Sequence, residues 1–124
     1  MRLDREARPT GPVIAGIVAG GFKVDDGIYH ALAITPNRAD GWTPPPLADL
    51  TEADLAPLLG LDPKPEFILL GTGAALRRPA PALAQTLAAK GIGLEIMDSR
   101  AAARAWGVLR SERRWIAGAL YPLA

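Results

Sequence analysis

Four consecutive apolar positions, Phe67-Ile68-Leu69-Leu70, leave no polar alternate for a solvent face. A strand of that kind needs cover above and below. It runs into Gly71-Thr72-Gly73, where the chain turns. Arg114–Tyr121 repeats the pattern, with Trp115, Ala117, Ala119 and Tyr121 opposite Ile116, Gly118 and Leu120. Shorter strand patterns fall at Val13–Val18, Phe22–Val24, Ile28–Ile34 and Leu94–Met97. Helical spacing shows in three places. Within Leu50–Leu59, Leu55, Leu58 and Leu59 share a face, Thr51 and Asp54 form the two halves of a cap, and Pro57 shortens or bends the helix. A second helix starts at Pro79 or Pro81 and stops at Gly91. Ser99 is placed to cap a third, whose apolar face is Ala102, Ala105, Trp106 and Leu109.

Strands come first, and helices and strands then alternate. That order predicts an α/β domain with a mixed β-sheet and packed helices, in which the crossover from Gly71 to Leu94 is right-handed. Asp25-Asp26-Gly27 between two short strand patterns predicts a hairpin with a positive φ at Gly27. Thr35–Pro46, rich in proline and turn formers, predicts a long surface loop in which Trp42 folds back onto the body. Met1–Pro12 predicts a flexible lead, so the domain proper is 13–124.

At 124 residues the chain accommodates one core more readily than two. Its 49% apolar content suffices to fill that core, which argues against disorder outside the ends. A formal charge of +1 gives no broad electrostatic footprint for nucleic acid. Without cysteine, disulfides and thiolate chemistry are excluded. No stretch approaches the roughly 20 apolar residues of a membrane helix, and the start lacks the pattern of a secretory signal, so a cytoplasmic protein without a transmembrane segment is expected.

Candidate chemistry is sparse. Gly71 and Gly73 occupy the first two glycine positions of a dinucleotide fingerprint, but Leu76 stands where the third belongs and no phosphate-loop lysine follows. Arg77 and Arg78 keep a small-anion site open beside free amides of the turn, against the plainer reading of arginines solvating a loop. His30 is the sole histidine, which leaves no zinc set, and no metal or cofactor is expected. Thr72 is the hydroxyl in the distinctive loop, yet nothing in the sequence identifies a base to activate it, so no catalytic residue is named. Near the C-terminus, Glu112 sits among Arg110, Arg113 and Arg114, a grouping suited to ion pairing or to holding a carboxylate.

The ordered blocks GGFKVDDGIYHALAI, Trp42, LLGTG and KGIGLEIMDSRAAARAWGVLRSERRWIAGALYPL resemble the domain of unknown function 498 family from about Val13 onward. The resemblance implies a three-layer α/β domain without established catalytic residues. Its eukaryotic branch includes a mitochondrial complex I assembly factor. Trp106 stands where the family usually has tyrosine and Gly107 where it has asparagine, while Glu112 and Arg113 are retained. Together with the lack of an activated nucleophile or metal set, the resemblance points to a non-enzymatic interaction protein, and the lack of a targeting pattern to a bacterial-type member. Its protein partner would be a respiratory-complex subunit or assembly factor, with no nucleic acid. The candidate anion or partner site is Gly71, Thr72, Gly73, Arg77, Arg78, Glu112 and Arg113. The alternative is a small-molecule enzyme or anion-binding module built on the turn from Gly71 to Arg78.

Overall fold

The computed structural model describes residues 11–124; Met1–Thr10, and with them most of the expected lead, lie outside the described residues. Strands β1 (Ile14–Val18), β2 (Gly21–Val24) and β3 (Gly27–Tyr29) form an antiparallel sheet in that order. The remaining strands are β4 (Leu32–Ile34), β5 (Ala39–Gly41), β6 (Phe67–Gly71), β7 (Gly93–Met97) and β8 (Ala117–Leu120). They form a five-stranded sheet ordered β5-β4-β8-β6-β7. It is mixed: β4 runs antiparallel to β5 and β8, whereas β6 is parallel to both β7 and β8. The helices are α1 (Ala56–Leu59), preceded by a 3-10 turn at Glu52–Leu55, then α2 (Pro81–Ala89) and α3 (Ser99–Ser111).

The period-two geometry of β6 explains its apolar run. Leu69 faces one core with Phe22, Ile34, Trp106 and Leu120, while Ile68 and Leu70 face another with Leu55, Leu83, Leu87 and Tyr121. β8 divides likewise, with Ile116 and Leu120 on the first side and Ala117 and Ala119 on the second. The five-stranded sheet is thus the middle layer. α3 and the small sheet lie on one face, and α1, α2 and the 3-10 turn on the other, as the α/β mixed-sheet expectation requires. At Gly118 a Cβ would crowd Ile34 at 3.0 Å, while the Trp106 indole at 3.5 Å would be in ordinary contact. Trp106 is fully buried, and its Nε1 donates to the Pro12 carbonyl at 3.0 Å.

Several expectations change in detail. Ile28–Ile34 is two strands in two sheets, because the chain leaves the small sheet at His30-Ala31 and enters the large one at Leu32. The loop Thr35–Pro46 contains the edge strand β5, closed by a turn in which the Thr35 hydroxyl accepts from the amides of Asn37 and Arg38, both at 3.1 Å. Trp42 does fold back, edge-on to Tyr121 with ring centroids 5.6 Å apart. In the β2–β3 hairpin the positive φ, 52°, falls on Asp25 rather than Gly27, which already pairs with Val24. The Thr51–Asp54 pairing holds, with the Thr51 amide donating to Asp54 at 2.9 Å, but regular α-helix begins only at Ala56.

Candidate functional site

The strand-to-turn joint at Gly71 is built from internal bonds. The Thr72 amide donates to the Met97 carbonyl at 2.9 Å, and the Gly73 amide donates to the Ser99 hydroxyl at 2.8 Å. Ser99 in turn donates its hydroxyl hydrogen to the Tyr121 carbonyl at 2.8 Å, and its amide donates to the Gly73 carbonyl at the same distance. The Thr72 hydroxyl donates to the Ala75 carbonyl at 2.7 Å and accepts from the Arg77 amide at 3.0 Å. Gly71, Thr72 and Gly73 are all buried, while Arg77 and Arg78 stand exposed beyond them. An anion cradle needs free amides aimed outward. Those of Thr72 and Gly73 are committed to holding β6, β7, α3 and the chain after β8 together.

Ser99 is therefore not the helix cap that the spacing predicts. Asp98 takes that role, its carboxylate accepting from the Ala101 amide at 2.9 Å, and Ser99 is the first helical residue with its hydroxyl turned into the joint. Gly71 is required by this closure. A Cβ at that position would come within 2.8 Å of the Ser99 hydroxyl oxygen and 3.0 Å of the Ser99 Cα, so the start of α3 would have to shift to admit it. Ser and Asp are both good caps, so local preference alone does not separate them.

The expected site residues fall into two groups at opposite ends of α3. Gly71–Arg78 lies by its N-terminus, where Gly73 touches Ser99, and Glu112 is its C-cap. Thirteen helical residues at a rise of 1.5 Å place the ends about 20 Å apart. The turn with Arg77 borders a pocket of about 350 Å³ shared with Tyr121 and the C-terminal residues. Arg113, at φ 62°, occupies the left-handed position after the helix, where its amide donates to Arg110 and that of Arg114 to Leu109. Immediately beyond, Arg114 grips Glu66 through Nε at 3.0 Å and a terminal nitrogen at 2.8 Å, and the second Glu66 oxygen accepts from the Trp115 amide at 3.1 Å. Hydrogen bonding from Arg114 and then from the Trp115 amide holds the Glu66 carboxyl below its usual range. Arg110 is buried, and one of its terminal nitrogens donates to the Arg114 carbonyl at 2.7 Å. Desolvation lowers its pKa. Tyr121 is pushed up to about 12, chiefly by burial and then by Asp54 and Asp49, and its hydroxyl donates to the Pro45 carbonyl at 2.8 Å.

The charged corner ends a groove that no single sequence motif announces. It has a volume of about 600 Å³ and runs between α3 and the edge strand β7. Its floor is Phe67, Leu69, Met97, Ala105, Val108 and Leu109, with Arg104, Arg114 and Glu95 on the rim. Val108, 58% exposed, breaks the polar surface of α3 at this wall. His30 is exposed, and among the described residues no group of three or more His, Asp or Glu is placed to hold a metal ion. No helix of the described residues is long and apolar enough to cross a membrane.

The sequence pattern of the family described as protein of unknown function (DUF498/DUF598) matches residues 14–121. The chain belongs to this family. It is similar to the NADH dehydrogenase [ubiquinone] 1 alpha subcomplex assembly factor 3 of Danio rerio, 29% identical over 121 residues that cover 97% of this chain and 69% of that one. The same factor from Bos taurus is 27% identical over 121 residues, covering 97% and 65%. This DUF498 member thus spans about two thirds of the length of these curated relatives. A crystal structure from Bordetella parapertussis, 32% identical, superposes with a TM-score of 0.81 over 91% of this chain and 97% of the other. The family expectation drawn from the ordered sequence blocks is met.

Proposed function

We propose that this protein is a bacterial-type member of its family that acts in the cytoplasm by binding other proteins, and that it assists the assembly of a respiratory complex without itself catalysing a reaction. The similarity over 121 residues to a protein named for NADH dehydrogenase assembly carries the reading. A groove of about 600 Å³ beside an edge strand supports it, since it offers a binding surface that the packing of the described residues leaves unused. The expected partner is a respiratory-complex subunit or another assembly factor, and the reading calls for neither cofactor nor nucleic acid. The alternative, an anion-binding module at the turn, is carried by Arg77 and Arg78 alone, because the Thr72 and Gly73 amides are bonded internally.

Removal of the gene from its native cell tests the proposal. Native gels and membrane NADH oxidation are expected to show less assembled enzyme, with unassembled peripheral subunits accumulating and complementation restoring the normal level. Undiminished assembly, together with turnover of a metabolite by the purified protein, would reverse the reading.

A further inference from the structure

The peptide groups of β7 show which side of that strand is open. The Gly93 amide donates to the Glu66 carbonyl at 3.0 Å, and the Met97 carbonyl accepts from the Thr72 amide at 2.9 Å. Odd-numbered residues therefore bond inward to β6, and alternation turns the N–H and C=O groups of Leu94 and Ile96 outward. Among the described residues no strand lies beyond them. Other edges are blunted. β5 has three residues and an Arg38–Asp40 ion pair at its start, β3 has three residues, and the register of β1 slips between Ile14 and Gly16. β7 is five residues long and stays in register with β6 throughout.

A strand laid along this edge would send alternate side chains over the groove, whose lining is apolar at Phe67, Met97 and Val108. On the rim, Arg114 is engaged by Glu66, while Arg104 on the α3 side and Glu95 on β7 are exposed and have no ion-pair partner among the described residues. The α3 wall therefore offers the Arg104 guanidinium to an incoming carboxylate, while Glu95 on β7 disfavours an acid placed beside the strand itself. Self-pairing is disfavoured: two β7 strands paired antiparallel about their centres would set Glu95 directly opposite Glu95.

We propose that the β7 edge and the α3 groove take up an extended segment of another protein, added as a further strand, with apolar side chains facing the groove and a carboxylate reaching Arg104. This deepens the interaction role proposed above and rests on it. Main-chain bonds to Leu94 and Ile96 supply affinity, while the groove and Arg104 select the sequence.

Photo-crosslinking in the native cell tests it, with benzoylphenylalanine placed in the full chain at Val108 in the groove or at Gln85 on the exposed face of α2. Mass spectrometry then identifies the captured segment. The expected result is capture at Val108 of a segment from another protein that alternates apolar with other residues and contains Asp or Glu. Arg104→Glu, at an exposed position that leaves thermal unfolding unchanged, should lower the yield about tenfold through loss of a charge-assisted hydrogen bond. In the purified complex, the Leu94 and Ile96 amides should exchange hydrogen more slowly than in the free chain. Capture of a second copy at Val108, a yield indifferent to Arg104→Glu, or unchanged exchange at those two amides would overturn the proposal. Capture at Gln85 alone would overturn the groove and leave the interaction role standing, whereas capture at neither position would overturn both.

Discussion

Ser99 does at one position what several separated elements need. Its hydroxyl accepts from Gly73 and donates to Tyr121, so one buried oxygen links the end of β6, the start of α3 and the chain leaving β8. Removing it leaves a buried donor and a buried acceptor without partners. Ser99→Ala is therefore expected to cost about 1 to 3 kcal/mol in denaturant unfolding with little change in the overall fold. A cost near zero would show that the joint is held by the Ser99 backbone alone. Candidate chemistry at Thr72 meets the same constraint, because that hydroxyl already bridges Ala75 and Arg77 within its own loop. A nucleophile needs a base aimed at its proton; here the proton is given to a carbonyl.

Among the elements, α3 is the most heavily used. It buries Ala102, Ala103 and Trp106 against the five-stranded sheet, hands Ser99 to the joint, and turns Arg104 and Val108 to the groove. Its existence was legible, since alanines and leucine recur at helical spacing around Trp106. The role of Ser99 was not, because Ser and Asp are both good caps and only the nearness of Gly73 and Tyr121 decides between them. Where α3 meets β8, Glu66 clasps Arg114 and the Trp115 amide, two residues that local patterning gives no reason to join to position 66. The folded carboxyl is held below its ordinary value of 4.5, so its stabilising contribution is present above that value and is lost as pH falls through the lower folded one. Glu66→Gln is accordingly expected to flatten the acid side of a stability-against-pH profile while lowering stability at neutral pH. An unchanged acid limb would show that this exposed pair contributes nothing.

For the whole molecule, one sheet serves two cores. β6 and β8 each present alternate residues to both sides, so neither side can be lost while the other keeps its wall. Unfolding is expected to be a single cooperative transition. Methyl resonances of Ile34 on the α3 side and Leu87 on the α2 side should lose native intensity at the same denaturant concentration; separated midpoints would mean two independent units. The same layering bears on function. It sets Gly71–Arg78 and Glu112–Arg113 at opposite ends of α3, about a helix length apart, and among the described residues it leaves β7 as an open edge beside an apolar groove.

Periodicity and turn chemistry by themselves determined that this chain builds doubly covered strands at Phe67–Gly71 and near its C-terminus, a helix around Trp106, and a mixed α/β layering. Each follows from residues close in sequence, where spacing and backbone preference act directly. Tertiary structure alone decided that Ile28–Ile34 splits between two sheets, that Ser99 closes the glycine joint, and that β7 stands at an edge with Arg104 above it. The physical reason is that these outcomes depend on which distant backbone groups become neighbours, and hydrogen-bond partners and free edges exist only once the strands have been ordered.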